Sequence, residues 1–243
     1  MEANVSTKFE NINLLKNLTN LSLYDCLNLT IDFINNLPYK ITTLKLKNLT
    51  IINFELKHLE NLVSLELKFG QIQTFVLENC FELKTLNLYA NKLVEFPQSI
   101  LLFTKLESLN LRWNNISQIP KKISQLQNLK NLNLSTNKLT EFPNTLLQLV
   151  NLKKLKINWN TISSIQILTN LNLQNLIILD LSSNCINEIY LQLPELQLLN
   201  LDYNQIVQIN LQTPKLQKLY LLDNGSKIYS NLILPKLTKV FIN

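Results

Sequence analysis

Leucines recur along the chain in blocks of fixed internal spacing. Leu83, Leu86 and Leu88 are followed by Asn91, and the same offsets return at Leu106, Leu109, Leu111, Asn114 and at Leu129, Leu132, Leu134, Asn137. Within a block the second and third leucines are separated by one polar residue, the two-residue period of a strand with one buried face. The first aliphatic residue of each block falls at Leu18, Ile41, Leu62, Leu83, Leu106, Leu129, Leu152, Leu176, Leu196, Leu216 and Leu237, about eleven units of roughly 20 to 24 residues. One block cannot bury its own leucines, so the pattern predicts stacked coils, each giving one strand to a parallel sheet.

The residues behind the strands predict two kinds of return. Leu93-x-x-Phe96-Pro97-x-x-Ile100, Ile116-x-x-Ile119-Pro120-x-x-Ile123 and Leu139-x-x-Phe142-Pro143-x-x-Leu146 suit one or two turns of 3₁₀ or α-helix, with proline presetting φ at the entry. The later units are shorter, and Ile186-x-x-Ile189 and Ile206-x-x-Ile209 leave room only for extended backs. The unit from Leu152 to Asn175 is the longest and lacks the proline, which marks it as an irregular joint. An Asn column at 91, 114, 137, 160, 184, 204 and 224 can satisfy backbone groups where the chain leaves the sheet. Cys26, Leu49 and Gly70 take that place earlier, so the N-terminal third is expected to be less regular.

Residues 1–17, with Phe9, Ile12 and Leu15, read as a capping segment, and 18–243 as the repeat domain. The run Val240-Phe241-Ile242-Asn243 lies in an expected strand, which suggests either a covered end or a piece of a longer protein.

The spacing L-x-x-L-x-L-x-x-N-x-L resembles the leucine-rich repeat family, and the proline-containing units resemble its intracellular members. That resemblance implies an α/β fold: a right-handed leucine-rich-repeat solenoid, or horseshoe, with a parallel concave β-sheet and a 3₁₀, helical or extended convex side. It also implies a non-enzymatic protein–protein interaction scaffold or recognition module that binds a protein partner on its concave face. A regulatory or targeting arm of a larger enzyme or signalling protein is the alternative.

Composition refines this picture. Charged residues are only 16% against a usual ~25%, so Asn, Gln, Ser and Thr must wet much of the surface. The net charge of +6 admits an acidic partner, although Lys, Asn and Ile enrichment is the simpler account of it. No apolar run reaches the ~18 residues a bilayer span needs, and Met1 to Leu15 has no signal-peptide pattern. Cys26, Cys80 and Cys185 are odd in number and far apart, which favours a reducing compartment, the cytoplasm or the nucleus. Acceptor patterns for glycosylation, such as Asn133-Leu134-Ser135, fall inside expected strands.

Catalytic, cofactor and metal chemistry find no support. There is one histidine, His58, in a polar connector that reads as solvated. Gly70 and Gly225 are too few for a phosphate loop, and no C-x-x-C occurs, so Cys26 and Cys185 read as core thiols. Asp180 and Asp202 lie on neighbouring strands without marking an acid–base pair.

Aligning the units places exposed positions in columns. The central one runs Ser22, Lys45, Glu66, Asn87, Asn110, Asn133, Lys156, Asp180, Asn200, Tyr220, Phe241, and the next runs Tyr24, Lys47, Lys68, Tyr89, Arg112, Ser135, Asn158, Ser182, Asp202, Leu222. A rim column before the Asn runs Phe69, Ala90, Trp113, Thr136, Trp159, Ser183, Tyr203, Asp223. Trp, Tyr and Arg bury large areas with few rotatable bonds and anchor interfaces. The expected partner-binding set is therefore Lys45, Lys47, Lys68, Phe69, Tyr89, Arg112, Trp113, Lys156, Trp159 and Tyr203. Stacked RNA bases are the rival ligand, made less attractive by the interspersed Asp and Glu.

Overall fold

The computed structural model describes residues 2–4, 12–167, 173–224 and 239–241. The chain divides into two compact units, Met1–Asn115 and Ile116–Asn243. In the first, strands β1 (Glu2–Asn4), β2 (Asn20–Tyr24), β3 (Thr43–Lys47), β5 (Ser64–Lys68), β7 (Thr85–Asn87) and β8 (Ser108–Asn110) pair in parallel in that order. In the second, β9 (Asn131–Asn133), β10 (Lys154–Lys156), β12 (Ile178–Asp180), β14 (Leu198–Asn200), β16 (Lys218–Tyr220) and β17 (Lys239–Phe241) do the same. Leucines meet leucines across these ladders, as in Leu44↔Leu65↔Leu86, and all three are fully buried. The solenoid expected from the leucine spacing is the fold observed.

The backs follow local sequence. Pro97, Pro120 and Pro143, with φ of −65°, −68° and −72°, enter 3₁₀ turns at Gln98–Leu102, Lys121–Gln125 and Asn144–Gln148. The shorter late coils return through β13 (Glu188–Gln192) and β15 (Gln208–Gln212), joined by β11 (Ser164–Ile167) in a second parallel sheet. An α-helix, α1 (Ile31–Asn35), is capped by Thr30, whose Oγ accepts from Phe33 N at 3.2 Å. Extended backs also occur early, in β4 (Asn53–Leu56) and β6 (Thr74–Leu77), where the sequence reading did not expect them. Phe54-x-Leu56 and Phe75-x-Leu77 alternate buried with exposed residues, and the two rings stack at 5.6 Å. The segment 168–172, within the expected irregular joint, lies outside the described residues, as do Phe9, Leu237 and Ile242. Ile12 is buried in a 3₁₀ turn, Ile12–Leu14, while Leu15 is exposed.

Each corner Asn fastens its own coil to the one before. Asn114 Oδ1 accepts from Leu93 N at 3.1 Å, and its Nδ2 donates to Leu88 O and Leu111 O at 3.0 Å each. Asn91, Asn160, Asn184 and Asn204 repeat this pattern and are likewise buried. Gly70 fills the equivalent place because a Cβ there would lie 2.6 Å from Asn91 Oδ1.

In the N-terminal third the backs change from α1 to β4 and β6, while the inner strands are longer than those that follow: β2, β3 and β5 have five residues and β7, β8 and β9 have three. The short strands end in Asn87, Asn110 and Asn133, whose Oδ1 atoms take the N–H of Tyr89, Arg112 and Ser135 two residues on. That local bond withdraws the N–H from the ladder. Lys45 and Glu66 at the same place offer no such local bond and their strands run on, but β10 is also three residues long with Lys156 there, so the Asn bond is one cause of a short strand and not a requirement for it.

Candidate partner-binding face

Where each inner strand ends, the chain turns through one left-handed residue. In the first unit these are Asp25, Asn48, Phe69, Ala90 and Trp113, with φ of 53°, 58°, 56°, 57° and 59°. In the second they are Thr136, Trp159, Ser183, Tyr203 and Asp223, with φ of 54°, 56°, 52°, 57° and 51°. L-residues lose about 1–2 kcal/mol in this region, Asn and Asp least. The rim column read from the sequence is thus a column of strained turns. Four of them carry aromatic side chains that remain exposed, Phe69 by 48%, Trp113 by 55%, Trp159 by 62% and Tyr203 by 56%. Ala90 and Ser183 make the same turn, so the fold does not require a ring there.

In the first unit the rings are knit together. Tyr89 meets Phe69 edge-on at 5.0 Å and Trp113 at 5.9 Å with a 51° tilt. The Arg112 guanidinium sits 5.8 Å from the Tyr89 ring centre, and Lys47 Nζ lies 4.6 Å above Tyr24. Lys47 and Lys68 are direct partners on β3 and β5, as are Lys45 and Glu66. Lys68 Nζ reaches Glu66 at 2.9 Å. Six of the expected residues, Lys47, Lys68, Phe69, Tyr89, Arg112 and Trp113, therefore share one surface, with Lys45 in the adjoining column.

In the second unit Lys156, Trp159 and Tyr203 are exposed on coils whose polar groups are bonded to one another. Ser135 Oγ donates to Asn158, Ser182 Oγ donates to Asp180 at 2.7 Å, and Asp202 accepts from Leu222 N at 2.7 Å. Burial raises the Asp202 pKa above its ordinary value, the Leu222 N–H opposes the shift, and Asp180 and Asp223 add to it. These carboxylates are structural acceptors, not an acid–base couple.

The left-handed geometry was not read from the sequence, though Asp25, Asn48 and Asp223 in the same column were its signal. Tyr24 stands in the second column and was missed as the ring that seats Lys47. His58 corrects another expectation: it is half-buried, and Nε2 donates to Leu37 O at 3.3 Å. Cys26 is buried as expected, whereas Cys185 is only half-buried. Among the described residues no group of three or more His, Cys, Asp or Glu is placed to hold a metal, and no helix is long and apolar enough to cross a membrane.

The family model described as Leucine rich repeat matches residues 104–162 and 150–206. No curated protein matches the chain. Among solved structures, a Leptospira interrogans LRR protein is similar at 27% identity and a TM-score of 0.62, covering 88% of this chain and 68% of its own. An internalin C2 from Listeria monocytogenes is similar at 26% identity and a TM-score of 0.62, covering 88% and 84%. The LRR part of FLRT2, solved in an octameric complex with Latrophilin 3 and Unc5D, shares the fold at a TM-score of 0.74 and 24% identity, covering 88% and 70%.

Proposed function

We propose, from the premise that this chain is a leucine-rich repeat protein, that it is a non-enzymatic recognition module or scaffold that binds another protein through the inner faces of its coils. The supporting observation is the set of exposed aromatic side chains at left-handed turns. They gain little burial, they sit where the backbone is strained, and neighbouring coils make the same turn with Ala or Ser. Strain held without a stability return points to use. Large rings beside cations are also the residue types that dominate protein interfaces.

Residues 1–17 act in this reading as a cap over the first coils, supported by the burial of Ile12. Its compartment is reducing, the cytoplasm or the nucleus, supported by the buried free thiols Cys26 and Cys80. Burial pushes the Cys80 thiol up to about 12, which keeps it neutral and unreactive.

The test compares proteins recovered on the intact chain with those on an Arg112→Glu, Trp113→Ser variant of unchanged circular dichroism. The specific partner should be lost from the variant. Recovery of identical sets would refute binding at this face.

A further inference from the structure

We propose that the first unit receives an extended acidic segment of its protein partner, its carboxylates on Lys47 and Arg112 and an apolar side chain on the Phe69–Trp113 ridge. This rests on the inner face being the binding surface.

Tyr24, Lys47, Lys68, Tyr89 and Arg112 form one row, one residue per coil. At ~4.8 Å per strand the row spans about 19 Å, the reach of about six extended residues. Lys47 and Lys68 stand directly opposite on β3 and β5, an arrangement of like charges that costs stability. Glu66 is the carboxylate beside them, and Lys68 already holds it at 2.9 Å. Among the described residues Lys45, Lys47 and Arg112 enter no ion pair. Two of these free cations are nevertheless seated, Lys47 at 4.6 Å over Tyr24 and Arg112 at 5.8 Å from Tyr89. A cation already held in place loses less freedom when an anion arrives.

The row therefore carries positive charge that the fold does not balance, presented from ordered positions. A segment with a few carboxylates complements it. A polyphosphate backbone fits less well, since its evenly spaced charges would also meet Glu66. Asn87 and Asn110 add peptide character. Their Oδ1 atoms are fixed by Tyr89 N at 3.1 Å and Arg112 N at 3.0 Å, which leaves both Nδ2 groups free to donate to peptide carbonyls.

The test is fluorescence anisotropy on the full chain with three fluorescein-labelled probes. They are a random dodecapeptide pool of Asp, Glu, Leu, Tyr and Ser, the same pool with Lys and Arg replacing the acids, and a twelve-nucleotide oligouridine. The acidic pool should bind at least about tenfold more tightly than the basic one, as expected of charge-complementary surfaces. Lys47→Glu with Arg112→Glu should erase that preference, and Lys121→Glu with Lys122→Glu, the same charge change on a 3₁₀ turn, should leave it intact. If the reversal unfolds the chain, Lys47→Gln with Arg112→Gln should still weaken acidic binding about threefold or more. Equal binding of both peptide pools, lost in Phe69→Ser with Trp113→Ser, would refute the acidic partner and leave the binding face standing. Binding indifferent to Phe69 and Trp113 would remove the face as well. Oligouridine that matches the acidic pool and displaces it would assign the row to RNA.

Discussion

The two units use one coil for different ends. In the second, Asn occupies every corner from Asn137 to Asn224, and the polar groups of the inner face bond to one another through Ser135–Asn158, Ser182–Asp180 and Asp202–Leu222. In the first, the corner runs Cys26, Leu49 and Gly70 before Asn91, and the inner face keeps Lys45, Lys47 and Arg112 out of ion pairs while Tyr24 and Tyr89 seat two of them. Both carry exposed aromatics at left-handed turns, but only Phe69, Tyr89 and Trp113 of the first are described in mutual contact. A polar face satisfied internally adds cohesion, and one left unsatisfied is available to a ligand.

The sharpest way to break this contrast is to remove a corner amide from the second unit. Asn160 accepts from Leu139 N at 2.9 Å and donates to Leu134 O and Ile157 O at 3.1 and 3.0 Å. Asn160→Ala strands these buried groups and should cost about 2–4 kcal/mol in denaturant unfolding. A cost below about 1 kcal/mol would mean that the corner is not what holds the coils.

Gly70→Ala probes the first unit's own solution. The new Cβ would stand 2.6 Å from Asn91 Oδ1, which is tied to Ile72 N at 3.3 Å, so the corner must shift. The expected loss is about 1–3 kcal/mol in the same unfolding assay, and no loss would show that Asn91 can move freely.

Trp113→Asn separates use from cohesion. Asn tolerates the left-handed turn, so stability should stay within about 1 kcal/mol despite the lost contact with Tyr89. A drop of several kcal/mol, as for a buried tryptophan, would make the rim ring part of the core.

The smallest effect concerns Asp202. Its pKa is raised in the folded state, so the folded chain binds the proton more readily and stability from this group rises as pH falls through that value. Asp202→Asn keeps an acceptor for Leu222 and should stabilise by under about 0.5 kcal/mol at neutral pH, the group being largely solvated. That gain should disappear below the ordinary Asp range. A gain that persists there would exclude its charge as the cause.

Leucine spacing is enough to dictate the coil. Leu86, Leu88, Leu109 and Leu111 recur at a spacing only stacking can bury, the Asn column follows from the need to satisfy backbone at the corners, and prolines 97, 120 and 143 announce the 3₁₀ backs. These are local and periodic demands, and one unit read against the next exposes them. Whatever depends on distance between coils emerges only on stacking: that Tyr24 seats Lys47, that Tyr89 joins Phe69 to Trp113, that Asp180, Ser182 and Asp202 are spent on internal bonds, and that early coils return as strands. Periodicity fixes which side a residue faces. Whether its charge or ring is already occupied depends on neighbours some twenty residues away, and only the stacked coordinates bring those together.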